Sequence, residues 1–375
     1  MYPFDSAMIP DVVLLVLMVT ALVQVLYFLF RFSGPGFSVL PNGTAEQPPV
    51  SVIICARNEL KNLRAFLPAV LEQEYPEYQV VVVNDCSWDE SGKFLEEMED
   101  AHKHLKVVTI KEQEKYQHGK KFALTLGIKG AAYEHLLLTD ADCVPASKHW
   151  IAGMMKGFSP GKELVISYGA YQRTGGLLNK WIRFDTAINA LMFLSSAIRG
   201  RAYMGVGRNL AYTKSLFFRN KGFANHYHIM SGDDDLFVNE TANAKNTSVV
   251  LDAAAITVSK PKTSLYTWIW QKKRHMSTGK FYKQAGRRMI GGHYLSLFLY
   301  WMAVMLAFLV QLNWQIVVGI ITLRLLVQMI ICWKGFKKLG ETDLLLLLPL
   351  FDVISAFAYP LLAVSNVFVK TKSWK

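Results

Sequence analysis

Val50-Ser51-Val52-Ile53-Ile54-Cys55-Ala56-Arg57-Asn58-Glu59 is a β-branched run that ends in three polar residues. Such a run suits a strand buried on both faces, with the polar end marking where the chain leaves the sheet. The pattern then repeats. Leu60 to Gln73 reads as a helix, Gln79 to Asn84 as a strand and Ser91 to His102 as a helix. Leu105 to Ile110 follows as a strand, Lys120 to Ala132 as a helix and His135 to Thr139 as a fourth strand. This alternation predicts an α/β fold with a doubly wound, mainly parallel sheet over residues 50–264. That stretch is long enough to bury its own core.

Ligands of such sheets bind at the carboxyl ends of the strands. Polar residues gather at those ends: Ala56-Arg57-Asn58-Glu59, Asn84-Asp85-Cys86-Ser87-Trp88-Asp89 and Asp140-Ala141-Asp142. Two carboxylates one residue apart can grip a hard divalent cation that also holds a diphosphate, and Mg²⁺ or Mn²⁺ suits such oxygens. The plainer alternative is a pair of turn aspartates capping the next helix. Gly232-Asp233-Asp234-Asp235-Leu236 places three acids in succession, which repel one another without a cation or a functional need. One of them could take a proton from an acceptor hydroxyl; the alternative is a solvated helix N-terminus. Gly205-Val206-Gly207-Arg208-Asn209 lacks the setting and spacing of a dinucleotide fingerprint, which excludes a Rossmann oxidoreductase. Its glycines let backbone approach a bound sugar or turn a strand edge.

Outward from this centre the chain turns apolar. Of 375 residues 52% are hydrophobic, and the excess lies at the two ends. Val12 to Phe30 carries only Thr20 and Gln24 as polar residues and would span roughly 28 Å, enough for a bilayer core. No basic residue precedes it and no small-residue cleavage site follows, so residues 1–32 are expected to be a retained transmembrane anchor. Residues 33–49, with Gly34, Pro35, Gly36, Pro41, Pro48 and Pro49, read as a linker. Tyr294 to Leu312, Trp314 to Trp333 and Leu344 to Val369 are further candidate spans within a transmembrane region 293–375. The last is read as a single crossing, a re-entrant segment or two short helices. Arg324 and Asp352 interrupt these spans; they should face protein, water or each other, as a structural pair or as the lining of a headgroup or glycan path.

The formal charge is +12. Thr257 to Arg288 holds nine Lys or Arg and no acid, interleaved with Tyr266, Trp268, Trp270, Phe281 and Tyr282. Residues 265–292 therefore suit a basic amphipathic segment on an anionic bilayer, and some of its cations could stabilise a leaving diphosphate. Lys334, Lys337 and Lys338 follow the third span, whereas the segment before the first has no Lys or Arg. This asymmetry puts the central region in the cytoplasm of a multi-pass cell-membrane protein, although Lys370, Lys372 and Lys375 break the pattern if the last segment crosses once. The charge lies beside the spans and no nucleic-acid-binding motif is present, so no nucleic-acid partner is expected. Four cysteines without zinc spacing exclude a disulfide scaffold or a zinc finger.

Taken in order, these segments resemble the family 2 glycosyltransferases, a GT-A-fold group that includes processive polysaccharide synthases and single-addition enzymes. The resemblance runs from Val50 to Gly279, about 60% of the chain. Val50–Glu59 looks like the family's opening strand and nucleotide loop, and Val82–Asp89 like its second strand and aspartate. Gly119-Lys120-Lys121-Phe122-Ala123-Leu124 is similar to its Gly-Lys-x-x-Ala-Leu helix start. Thr139–Pro145 matches its metal motif, Gly232-Asp233-Asp234 its base motif, and Gln271-Lys272-Lys273-Arg274 its Gln-x-x-Arg-Trp motif. Asn84 stands where an Asp is common, and His275 replaces the Trp that processive synthases carry.

The resemblance implies that Arg57, Glu59 and Asp85 hold the base and ribose of a UDP- or GDP-linked sugar donor, with Lys120 close to the same nucleotide. It implies that Asp140 contacts the nucleotide and the metal, that Asp142 binds the metal, and that Gln271 and Arg274 sit near the acceptor or diphosphate. Aligned on Gly-Asp-Asp, the general base is Asp234; aligned on the following Asp-Leu, it is Asp233. The expected activity is inverting sugar transfer to a lipid-linked or glycan acceptor at a membrane. A processive polysaccharide synthase and a non-catalytic nucleotide-binding membrane component are the alternatives.

Overall fold

The computed structural model describes residues 8–40, 46–111 and 119–368. Pro41, Val369, Lys370, Lys372 and Lys375, which enter the reading above, lie outside the described residues. The elements begin with α1 (Ile9–Tyr27), which runs on as a π-helical turn (Phe28–Phe32), then α2 (Gly34–Phe37), β1 (Val50–Ala56) and α3 (Leu60–Leu71). Next come β2 (Tyr78–Asp85), α4 (Ser91–Ala101), β3 (Leu105–Ile110), α5 (Lys120–Gly130), β4 (His135–Asp140) and β5 (Cys143–Pro145). They are followed by α6 (Trp150–Met155), β6 (Leu164–Ile166), β7 (Gly169–Tyr171), α7 (Leu177–Ile198), β8 (Leu210–Thr213) and α8 (Lys214–Arg219). α9 (Asp235–Thr241), β9 (Thr247–Val249) and β10 (Thr257–Ser259) precede the helices α10 (Leu265–Thr278), α11 (Gln284–Leu309), α12 (Trp314–Leu339) and α13 (Leu348–Phe368). The described residues form two compact units: an α/β unit of residues 39–182 and 196–268, and a helical unit of residues 8–38, 183–195 and 269–368.

The α/β unit is built on a seven-stranded sheet of order β3-β2-β1-β4-β8-β6-β9. β3, β2, β1 and β4 are parallel, and their near-continuous β-branched composition is that of strands covered on both faces. Leu63, Leu67, Val70 and Leu71 of α3 share one buried face, at the spacing of an amphipathic helix. Because β2 and β4 flank β1, the strand order reverses between β1 and β4, and a doubly wound sheet opens its ligand crevice at that point. The register sets Cys55 opposite Asp140 and Ala56 opposite Asn84, so the polar strand ends lie side by side. The sequence reading missed the antiparallel β8 between β4 and β6, and the second sheet β5-β10-β7. Most of those strands have only three residues, too few for a period to register.

In the helical unit four helices are long and apolar enough to cross a membrane: Ile9–Phe32, Gln284–Leu309, Trp314–Leu339 and Thr342–Asn366. α1 buries Leu17, Thr20, Ala21 and Gln24 along one stripe and leaves Leu15, Leu22 and Leu26 exposed. Ala303 and Ala307 of α11 pack in the same core, small residues that let helices approach closely. Arg324 and Asp352 meet each other: Nη1 and Nη2 donate to the carboxylate at 2.7 and 3.0 Å.

Three boundaries differ from the expectation. The assumed linker starts as ordered chain, because Gly34 and Pro35 are buried and the Gly34 N–H donates to Ser195 Oγ at 2.9 Å. The basic stretch 265–292 is not one segment, since α11 starts at Gln284 and carries Arg287 and Arg288 on its first turns. The last apolar stretch is a 3₁₀ turn followed by one continuous helix through Pro360, rather than two helices or a re-entrant loop.

Candidate active site

β1 and β2 end in two loops that lace together. The Asn58 N–H donates to Ser87 Oγ, the Trp88 N–H donates to Asn58 Oδ1, both at 3.0 Å, and the Leu60 N–H donates to Asp89 Oδ2. Asn58 and Cys86 adopt positive φ to make these turns. The lacing fixes Arg57 and Glu59 beside the carboxyl end of β2, where Asp85 is fully buried. The Arg57 guanidinium lies 5.8 Å from the centre of the Trp88 ring, which is 79% exposed.

At the end of β4, Asp140 and Asp142 are half-buried on either side of the buried Ala141. Burial, then the nearby Asp140, push the Asp142 carboxyl above its ordinary range, while Cys143, Arg208 and Lys262 pull it down. Ligand atoms of Asp140, Asp142 and Cys143 all lie within 4.8 Å of one another. Two accessible carboxylates that repel each other fit a hard divalent cation. The Cys143 thiol is buried against Ser259 Oγ at 2.9 Å, so the carboxylate oxygens are the fitting ligands.

The acid triplet reaches the same place from α9. Lys120, on the first turn of α5, lies 2.9 Å from Asp140 Oδ1 and 2.8 Å from Asp233 Oδ2, bridging the two acidic motifs. Burial alone would lower the Lys120 pKa, but Asp140, Asp233 and Asp234 outweigh it and hold the ammonium well above the usual lysine range. The three acids then diverge. Asp233 is buried, and although burial raises its pKa, Lys120 wins and holds it low. Asp235 is also buried. Asp234 is half-buried and caps α9, accepting from the Asp235 N–H at 2.8 Å and the Gly207 N–H at 2.7 Å. Burial, then Asp233 and Asp235, raise the Asp234 carboxyl to about 7. Neighbouring carboxyls driven apart in this way mark a division of roles. The triplet is thus a helix cap but not a solvated one.

The Gly205–Asn209 turn does more than turn an edge. The Arg208 carbonyl accepts from the hydroxyls of Thr139 and Thr257 at 3.0 and 2.8 Å, which docks the turn against the end of β4. The Arg208 guanidinium donates to the Gly169 carbonyl at 3.1 and 2.7 Å and lies over the Tyr171 ring. A Cβ at position 169 would fall 2.3 Å from Arg208 Nε, so a side chain there would force Arg208 to move. Asn209 accepts from the Trp150 indole and donates to the carbonyls of Tyr168 and Ala255 inside the core. Sequence reasoning missed the roles of Arg208, Asn209 and Lys121. The Arg-Asn pair after a glycine turn and the doubled lysine at a helix start were the available signals.

The structure thus brings Asp140, Asp142, Lys120, Asp233 and Asp234 together at the carboxyl end of the sheet, with Arg57, Glu59 and Asp85 on the β1 and β2 ends. Gln271 and Arg274 lie on α10, in the helical unit. Their neighbours are engaged within that unit: Lys272 pairs with Asp185 at 2.8 Å and Lys273 donates to Ser365 Oγ at 2.8 Å.

A doubly wound sheet with paired carboxylates at its switch point and an acid triplet beside them defines a GT-A-type glycosyltransferase fold. A mannosyltransferase from Pyrobaculum calidifontis, solved in complex with GDP-Man and Mn²⁺, superposes with a TM-score of 0.61 over 97% of this chain and 100% of that one, at 16% identity. Residues 51–220 match the family model described as Glycosyl transferase family 2. Among curated relatives, glycosyltransferase AglE of Haloferax volcanii is 30% identical over 200 residues, 51% of this chain and 60% of that one. A poly-beta-1,6-N-acetyl-D-glucosamine synthase of Staphylococcus epidermidis is 34% identical over 95 residues, 25% of this chain. The chain spans only 22% and 60% of the length of these two relatives.

Proposed function

We propose that the protein transfers a sugar from a nucleotide diphosphate sugar to a hydroxyl of a lipid-linked or glycan acceptor, with inversion at the anomeric carbon. The observation that carries this reading is the split within the acid triplet. Asp233 is neutralised by Lys120, whereas Asp234 keeps an accessible carboxyl poised near neutrality. A base with a pKa near the working pH is effective in proton transfer. Asp234 takes the proton of the acceptor hydroxyl as its oxygen bonds to the anomeric carbon. The bond from that carbon to the diphosphate oxygen breaks on the opposite face, and its electron pair leaves with the nucleotide.

Asp142 and Asp140 would hold Mg²⁺ or Mn²⁺, which when bound supplies positive charge to the leaving diphosphate. Lys120 adds a fixed cation beside Asp140. Arg57, Glu59 and Asp85 are assigned to the base and ribose, and Gln271 and Arg274 to substrate contacts, on the family resemblance. The four apolar helices suit a membrane-bound acceptor, and the basic segments Lys334–Lys338 and 280–288 favour a cytoplasmic catalytic domain at the cell membrane.

The test is binding and hydrolysis of a panel of UDP- and GDP-sugars by detergent-purified protein with Mg²⁺, with Mn²⁺ and with EDTA. Metal-dependent release of one nucleotide is the expected result. Folded protein that binds no donor in any metal would leave the non-catalytic reading in its place.

A further inference from the structure

The two lysines that open α5 do different work. Successive residues of a helix point about 100° apart, and here Lys120 turns to carboxylates while Lys121 turns to backbone. Lys121 is 4% exposed, and its Nζ donates to the carbonyls of His226 and Ile229 at 2.6 and 2.9 Å. Those carbonyls belong to the chain between α8 and α9, which leads through Gly232, at φ +95°, directly into Asp233 and Asp234. Apart from one 3₁₀ turn (Ala224–His226), that chain has little regular structure, and Tyr227 and Met230 on it are exposed.

We propose that Lys121 is a positioning residue for the acid triplet: its buried Nζ ties down the chain that carries Asp233 and Asp234 and so holds Asp234 in place for turnover. The inference rests on the proposed role of Asp234 for its effect on turnover, but not for the latch itself. Nζ has enough N–H groups to donate to both carbonyls in either protonation state.

Burial lowers the Lys121 pKa to about 8, against the pull of Asp233, Asp235, Asp234 and Glu240. The other groups facing the latch are Lys120 on its own helix, held protonated, and His226 on the tethered chain, which burial, then Lys121, push down to about 4. His228 on that chain is exposed. Lys121 is therefore the member of this cluster that changes charge above neutrality. A lysine with a depressed folded-state pKa binds its proton less well folded than unfolded. Between about 8 and the ordinary value of 10.5, its contribution to stability rises with pH. By the same linkage, losing the proton favours the tied-down chain over an open one in which Lys121 meets water, so the latch persists above a pH of about 8.

Two measurements test the latch. In the first, kcat and donor KM are compared for the native protein, Lys121→Met and Lys121→Arg. Lys121→Met should lower kcat about 100-fold with donor KM nearly unchanged. Lys121→Arg should recover much of kcat, because guanidinium restores the N–H donors. In the second, hydrogen exchange of residues 223–234 is compared between the native protein and Lys121→Met at one pH. Protection of that chain should fall in the variant while the strands of the sheet keep theirs. Native kcat in Lys121→Met, or unchanged protection of residues 223–234, overturns the proposal. The exchange measurement needs no substrate. A failure of the sugar-transfer reading, seen as no donor bound, is thus separate from a failure of the latch.

Discussion

Each unit buries a cluster of charge, and the two are built on opposite terms. In the helical unit Asp352 accepts two bonds from Arg324, one from Gln328 and one from the Trp301 indole. Arg324 also donates to the Gln24 side chain, and neither charged group is exposed. Charge is balanced there and the carboxylate's oxygens are occupied, as a pair inside apolar helices requires. In the α/β unit the carboxylates outnumber the cations. Asp140, Asp142 and Asp234 keep surface, and one carboxyl is driven up to about 7. A closed, neutral cluster holds helices together; an open, acid-rich one is left wanting a cation and a proton. The closed cluster has the character of structural charge, and the open one fits the chemistry proposed for it.

The largest test of that distinction is Asp142→Ala. It should reduce turnover below detection while the melting temperature stays near native, and direct Mn²⁺ binding, read by calorimetry, should weaken with it. Unchanged turnover in a folded variant would move the metal away from this pair. Asp234→Asn comes next. It should keep donor affinity and lose about a thousandfold in transfer, whereas Asp233→Asn should lose less and perturb Lys120 instead. The reverse ranking would hand the base to Asp233.

The helical cluster should answer the other way. Asp352→Asn leaves Arg324 buried without its counter-charge and should cost about 3–5 kcal/mol of stability, read as a lower melting temperature in detergent. Turnover per folded molecule should stay near native. Replacing both partners, Arg324→Met with Asp352→Leu, should recover much of the loss.

The smallest effect is in pH. If Asp234 is the base, kcat/KM should rise about tenfold per unit below a break near pH 7 and then level. The sign for stability is opposite. A carboxyl raised from 3.8 to about 7 favours the fold when protonated, so its contribution is lost as pH climbs through that window. Asp234→Asn should therefore gain stability relative to the native protein between those values, in a melting series against pH.

Much of the α/β core was legible because β1 to β4 are long, buried on both faces and separated by amphipathic helices. The acid motifs at their ends were legible for the same reason, since a strand end fixes where a polar residue points. What stayed hidden has no local period. β6, β7, β9 and β10 have three residues each, and their pairing is set by long-range contacts such as Asn209 bonded to Tyr168 and Ala255. The meeting of Arg324 with Asp352 was readable as a need for a partner, and folding supplied the choice of partner. The choice between Asp233 and Asp234 was undecidable from spacing, because it depends on which of them Lys120 reaches.

The fit between Gly169 and Arg208 bears on how this chain can drift over time. While Arg208 lies against the Gly169 carbonyl, no side chain can enter at 169, because its first carbon would overlap the guanidinium. A lineage that exchanged Arg208 for a short residue would release that ban at once. Positions 169 and 208 should therefore change together among descendants of a common ancestor, glycine persisting wherever arginine does, although 39 residues separate them along the chain.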